Sequence, residues 1–191
     1  MPDTYHVVTY AGPFGFIKPW TAVRDGLTYS QPFLSPSTVE GMRIKLGVSA
    51  ILRHRLRHGG ISRQQEHVHA AGWKGKRVDG GKAVARATGV IVRGVLLRPS
   101  LALAFSSAED AETAASDHLC LCRNEDLVFP VRVGGALVRE MEPAEFDEVV
   151  GFEMHPTEGP GSVPLGVSRY TGEMMTGRLE VVGDPANAPA P

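Results

Sequence analysis

Three residues of ligand type alternate along one short stretch of the sequence: His118, Cys120 and Cys122. On a strand, alternate residues share a face, so the three could line one side. A structural zinc site normally takes four ligands from two separated pairs. No Cys-x-x-Cys accompanies these three, and His155 is the one further ligand the sequence could import. Buried thiols beside a strand histidine are the commoner arrangement, and neither a metal nor a cofactor is expected. Cys120 and Cys122 are also too close along the chain for an ordinary structural disulfide, so reduced thiols and a cytoplasmic setting are expected. A second histidine set, His54, His58, His67 and His69, lies among arginines and lysines. His54 and His58 have the i, i+4 spacing of helical ligands, but contacts to a phosphate or a base account for them as well. No Walker loop, Gly-x-Ser-x-Gly or His-Glu-x-x-His pattern is present, which leaves small-molecule enzyme chemistry without positive support.

The distribution of charge is more informative than its total. The chain has 191 residues and a formal net charge of -1. Residues 42–98 carry 13 basic and 2 acidic side chains, whereas residues 106–191 carry 5 basic and 16 acidic. Either the acidic part neutralises the basic part inside one fold, or the basic segment forms a face for a polyanion, nucleic acid being the commonest. Trp73-Lys74-Gly75-Lys76-Arg77, with Lys82 close behind, joins cations, a flexible backbone and an aromatic ring. Single-stranded nucleic acid is often held that way, phosphates on cations and bases on a π-face. An ordinary solvated loop is the alternative.

These residues must be carried by elements. Residues 5–12 read as a first strand ended by Gly12-Pro13. Residues 14–35 are irregular and hold Phe16, Trp20, Tyr29 and Phe33, four aromatics that need either the sheet or a bound base to cover. Ser37-Thr38-Val39-Glu40 reads as a capping box opening a helix over about 38–58, with Gly59-Gly60 as its stop. Six glycines and the cations of residues 59–85 suggest a mobile basic loop or a protruding hairpin. Strands are expected at 87–97, 101–105, 118–122, 128–133, 136–139 and 178–182. Short helices are expected at 108–116, capped by Ser106 or Ser107, and at 143–149.

That order suits an α+β fold: a ferredoxin-like antiparallel sheet with helices on one face, one long helix and a β-rich C-terminal part. A single domain over 1–182, with a basic insertion at about 59–86 and a disordered tail at 183–191, is the expected organisation. The hydrophobic fraction of 42% suffices for a core, no stretch approaches the roughly 20 apolar residues of a membrane span, and the N-terminus has no secretory pattern.

Several segments, in order, carry a family resemblance. Ala11-Gly12-Pro13-Phe14 is followed by Lys18-Pro19-Trp20, then by Leu27 to Met42 with Tyr29, Pro36, Ser37 and Gly41, and late in the chain by Val163-Pro164-Leu165-Gly166-Val167-Ser168-Arg169-Tyr170. Over roughly a third of the chain this resembles the Cas-five family, RAMP-fold subunits of Cascade-type CRISPR surveillance complexes. The resemblance implies an RRM/RAMP-type ferredoxin-like domain with a protruding thumb. It also implies an antiviral role in a ribonucleoprotein complex, binding of the five-prime handle of CRISPR RNA, docking on Cas-seven-type backbone and large subunits, and only indirect contact with target DNA. Together, charge and resemblance nominate Trp20, Tyr29, Ser37, Arg43, Arg53, Arg57, Trp73, Lys74, Lys76, Arg77, Lys82 and Arg169 as RNA-binding residues.

In subtype I-C the family member also cuts precursor RNA without a metal, using a tyrosine and an adjacent Lys-His pair. Tyr29 matches the tyrosine and His118 falls near the histidine, but Asp117 stands where the lysine would be. An acid there repels the scissile phosphate. A non-catalytic handle-binding subunit is therefore expected. A processing endoribonuclease is the first alternative, and a basic RNA- or protein-binding adaptor without a CRISPR role is the second.

Overall fold

In a computed structural model of the protein, the described residues are 2–20, 26–68, 73–86 and 89–188, with only the backbone described at 68, 73, 74, 76, 78 and 84–86. The elements run β1 (Tyr5–Ala11), β2 (Phe14–Gly15), β3 (Leu27–Tyr29), α1 (Pro36–Leu46), β4 (Arg53–Arg57), β5 (Ile61–Val68), β6 (Trp73–Val78), β7 (Gly81–Arg86), β8 (Gly89–Leu97) and β9 (Ser100–Phe105). They continue with α2 (Ala108–Ala114), β10 (Leu119–Cys120), β11 (Leu127–Val131), β12 (Val138–Met141), α3 (Pro143–Asp147), β13 (Gly151–Pro156), β14 (Val163–Val167) and β15 (Met174–Val182). The fold is α+β, mostly antiparallel, with a β-rich C-terminal part.

Period-two alternation builds its centre. The large sheet runs β10-β11-β1-β9-β4-β13-β15-β14, with β12 also on β1. Val8 and Tyr10 of β1, Leu56 of β4 and Leu101, Leu103 and Phe105 of β9 share a core with Met42 and Leu46 of α1 and Ala111 and Ala114 of α2. The alternate residues Tyr5, Val7, Ala102 and Ala104 join Met141 and Phe146 of α3 in a second core. Helices therefore cover both faces, not the one face expected. The central strand β9 is buried along its whole length.

The expected long helix divides in two. Ser35, in extended conformation, caps α1 by accepting from the Thr38 N–H, and Gly47 ends it in the left-handed region at φ 70°. Pro36 suits the first turn because its missing N–H would be unpaired there. Ser37 is buried within the first turn, and Glu40 pairs with Arg43 instead of reaching back to the cap. Residues 53–57 are strand β4: Arg-His-Arg-Leu-Arg alternates with period two, His54 and Leu56 on one face and the three arginines on the other.

The basic insertion is made of strands. β5 and β8 form an antiparallel ribbon over eight pairs, from Ile61 opposite Leu96 to Val68 opposite Gly89. β3 runs parallel to β8 on its other edge. Beyond the ribbon, β6 and β7 pair as a hairpin from Trp73 opposite Arg86 to Val78 opposite Gly81. Its turn is Asp79-Gly80, with Gly80 at φ 96°, the dipeptide such turns favour because positive φ costs glycine little.

Residues 183–188, expected to belong to a disordered tail, lie against β4: His58 N–H donates to the Pro185 carbonyl at 2.8 Å and Ala188 N–H to the His58 carbonyl at 3.0 Å. Residues 189–191 lie outside the described residues. No helix among the described residues is long and apolar enough to cross a membrane.

Candidate nucleic-acid interface

A groove of about 640 Å³ opens where four segments meet: Ile17–Trp20 after β2, one side of α1 from its cap to Lys45, residues 119–122 and residues 165–170. Trp20 lies on one wall. Its indole N–H donates to the Pro164 carbonyl at 3.2 Å, and half of its surface is open at 53% exposure. Gly166 permits that seat twice over. Its φ is +92°, and a Cβ there would come within 2.9 Å of the Trp20 Cβ. Opposite, Tyr170 is exposed, its hydroxyl passing close to Gly41 of α1, and the Arg169 guanidinium lies 5.9 Å from its ring centroid. Lys18, Lys45 and Arg169 bring positive charge to the groove, and Lys45 also pairs with Asp117. Ser37, Cys120 and Cys122 line it as well, both thiols free. The groove thus offers aromatic faces and three cations along one side of a helix.

Nine of the twelve nominated residues separate into three places, and Arg43 of α1 and Arg53 and Arg57 of β4 lie apart from them. Trp20, Ser37 and Arg169 meet in the groove. Trp73, Lys74, Lys76, Arg77 and Lys82 lie on the β6–β7 hairpin, where Arg77 and Lys82 are opposite one another and exposed. Tyr29 stands on the ribbon, its ring pressed onto Gly94 of β8, with Arg63 Nε donating to its hydroxyl at 2.9 Å.

Arg43 and Arg53 are engaged internally. Nε and Nη2 of Arg43 donate to the two Glu40 carboxylate oxygens at 2.8 Å, and Nη1 donates to the Val48 carbonyl at 3.1 Å. Arg53 donates to Glu153 at 2.8 Å and to Asp147 at 3.0 Å. Beside it, the fully buried Arg55 reaches Glu180 at 3.0 Å and Glu153 at 3.1 Å. The hydrogen bond from Arg55, helped by one from His155, holds the Glu180 carboxyl down at about 2. Glu153, His155 and Glu180 could together offer ligand atoms to a metal, but two guanidiniums already neutralise the two carboxylates. The trio reads as an ion-pair network tying β4 to β13 and β15. His54, on the opposite face of β4, is pushed down to about 4 by burial.

Tyr29 lies in β3 of the ribbon sheet, and His118 lies just before β10 of the large sheet. His118 Nδ1 is 2.9 Å from its neighbour Asp117, and its ring packs 5.8 Å from that of Phe129. No hydrogen bond or ring contact among the described residues joins the two. The cation beside Asp117 is Lys45, supplied by α1 and not by the preceding residue.

The sequence reading passed over Lys18, Lys45 and Tyr170 as site residues. Lys18 and Tyr170 lay inside the segments that carried the family resemblance. Lys45 gave no local signal, because its place depends on the pairing of α1 with β10.

No family model and no curated protein matches the chain. Its fold has neighbours among solved structures. One is a chain of a "CRISPR RNA-guided surveillance complex": the two superpose with a TM-score of 0.50, covering 95% of this chain and 91% of that one, at 18% identity. At that identity the likeness concerns the fold.

Proposed function

We propose that the chain is a guide-RNA-binding subunit of a Cascade-type CRISPR surveillance complex, and that the groove holds the five-prime handle of the RNA. The observation that carries this reading is the convergence of Trp20, Tyr170, Lys18, Lys45 and Arg169 around one groove, in a fold whose neighbour comes from an RNA-guided complex. Phosphates are held by the three cations and a base stacks on the open face of Trp20, the division of labour that single-stranded nucleic acid favours. The β6–β7 hairpin adds backbone contacts through Arg77 and Lys82. Docking on backbone and large subunits is supported by β14, which ends the large sheet and exposes Val163 and Val167.

The role is holding and not cutting, because Tyr29 is fixed by Arg63 in the ribbon sheet and His118 by Asp117 before β10. The test is titration of a labelled repeat-derived RNA into the purified protein, without divalent metal. Binding without a discrete product is expected, and Trp20→Ala weakens it by about 1–3 kcal/mol with the fold intact. Undiminished affinity in Trp20→Ala would remove the groove from the reading. Specific cleavage lost in both Tyr29→Phe and His118→Ala would replace the holder with a nuclease.

A further inference from the structure

A second, smaller cavity lies on the other face of the large sheet, away from α1 and α2. It measures about 170 Å³, and its polar lining is three arginines and two hydroxyls: Arg55, Arg57, Arg139, Thr9 and Ser100. Among the described residues, no carboxylate lines it. The register explains the convergence. Thr9, Ala102 and Arg55 are directly opposite one another across β1, β9 and β4, so their side chains share this face. Ser100 is opposite Arg57 in the next row of the same face, and Arg139 of β12 is opposite Val7.

The arginine at the base of this cavity is incompletely satisfied. Arg55 is 1% exposed, and its Nη1 is committed to Glu153 and Glu180 on the β13 and β15 side. Among the described residues, its Nε and Nη2 have no acceptor. A buried guanidinium with two unmade hydrogen bonds is costly, and the natural remedy is an anionic acceptor. Arg57 has no carboxylate partner among the described residues. Arg139 has only Glu145, at 3.7 Å. Both are half-buried, so the cavity is reachable from solvent.

We propose that this cavity is a binding site for one phosphate group, either the free ion or the terminal phosphate of a nucleotide. Guanidinium forks arriving from β4 and β12 offer donors in several directions. That fits a tetrahedral oxyanion carrying more than one charge better than a planar carboxylate. Thr9 and Ser100 supply hydroxyls for the remaining oxygens. The volume corresponds to about six waters at roughly 30 Å³ each, room for a phosphate and its bridging waters but not for a stacked base and sugar. The site is distinct from the RNA groove and does not depend on it.

The test is calorimetric titration of inorganic phosphate into the full chain, with chloride at matched ionic strength as reference. Saturable binding of phosphate and none of chloride is expected. Arg57→Gln with Arg139→Gln weakens it about tenfold or more, and Arg139→Gln alone, a half-exposed change that spares the fold, gives part of that loss. A groove variant, Lys18→Gln with Lys45→Gln and Arg169→Gln, binds phosphate as before. Competition by a nucleoside 5′-monophosphate but not by the nucleoside identifies a phosphomonoester as the ligand, and competition by neither identifies the free ion. Absence of saturable binding, undiminished binding in the folded arginine variants, or loss in the groove variant would each overturn the proposal.

Discussion

β4 and the β6–β7 hairpin are both rich in cations and use them in opposite ways. Arg53 and Arg55 of β4 lie on a buried sheet face, where Arg53 and the Nη1 of Arg55 pair with Asp147, Glu153 and Glu180. Arg77 and Lys82 of the hairpin are exposed, and no carboxylate among the described residues pairs with them. The neutralising account of the uneven charge therefore holds at β4, and the hairpin is where a face for a polyanion has free cations to use. The acidic C-terminal part neutralises the basic segment where β13 and β15 lie beside β4. The hairpin reaches away from those strands and keeps its charge. A cluster of like charges in a sequence shows that compensation is needed, and topology decides whether the fold or a ligand supplies it.

The largest test of that difference is Arg55→Ala. Removing one partner of a buried ion pair leaves the other uncompensated, at a cost of about 3–5 kcal/mol. Glu153 is the partner at risk, its side chain only 3% exposed. Urea unfolding of the variant should show a midpoint shift of that size. A loss below about 1 kcal/mol would mean that Arg53 alone suffices for Glu153, and that the arginines of β4 are less committed than their distances indicate.

Acid exposes the same strand from its other face. Burial lowers the His54 pKa to about 4, whereas an unfolded histidine titrates near 6.5. Between those values the unfolded chain binds a proton that the folded chain does not. Stability is therefore full above about pH 6.5, declines as pH falls toward about 4 and then levels off, a loss of order 3 kcal/mol. His54→Gln should flatten this part of the stability profile. Glu180, held at about 2, acts lower: its contribution is present above its unfolded value and fades as pH falls through about 2, by an amount that its partial exposure reduces. A hairpin cation replaced by alanine should leave both limbs unchanged.

How much of this could be read beforehand depended on the range of each cause. The first strand, the strands β8 and β9 and a serine cap on α2, Ser107 of the two candidates Ser106 and Ser107, follow from neighbouring residues. The long helix failed because Ile51, Leu52 and Leu56 fit a helical period by coincidence, while Gly47 had already turned the chain. The cap was displaced by two residues for a similar reason, since Ser35 and Ser37 flank the same proline. Ser35→Ala should accordingly cost about 1 kcal/mol in unfolding measurements. Ser37→Ala should not act as the loss of a cap. The hairpin had a local signature in Asp79-Gly80 that was passed over. The β4 network had none, because Arg53 and Arg55 find Glu153 and Glu180 at separations of 100 and 125 residues. The groove was legible through Trp20 and Arg169, whose motifs are local, and illegible at Lys45.

The smallest effect on folding, and the sharpest contrast with Arg55, should come from Arg77→Ala with Lys82→Ala. Exposed substitutions away from caps and buried pairs change stability by no more than about 0.5 kcal/mol, so the unfolding curve should superpose on that of the parent. RNA binding should respond instead. Each phosphate contact with a single strand contributes about 0.7 to the slope of log affinity against log salt, through counterion release. Losing two contacts should lower that slope by about 1.4, with the greatest loss of affinity at low salt. An unchanged slope would mean that the hairpin cations meet solvent and not RNA, leaving the groove as the whole nucleic-acid surface. A destabilised protein would mean that the hairpin is tied into the fold as β4 is, and the distinction between the two regions would fail.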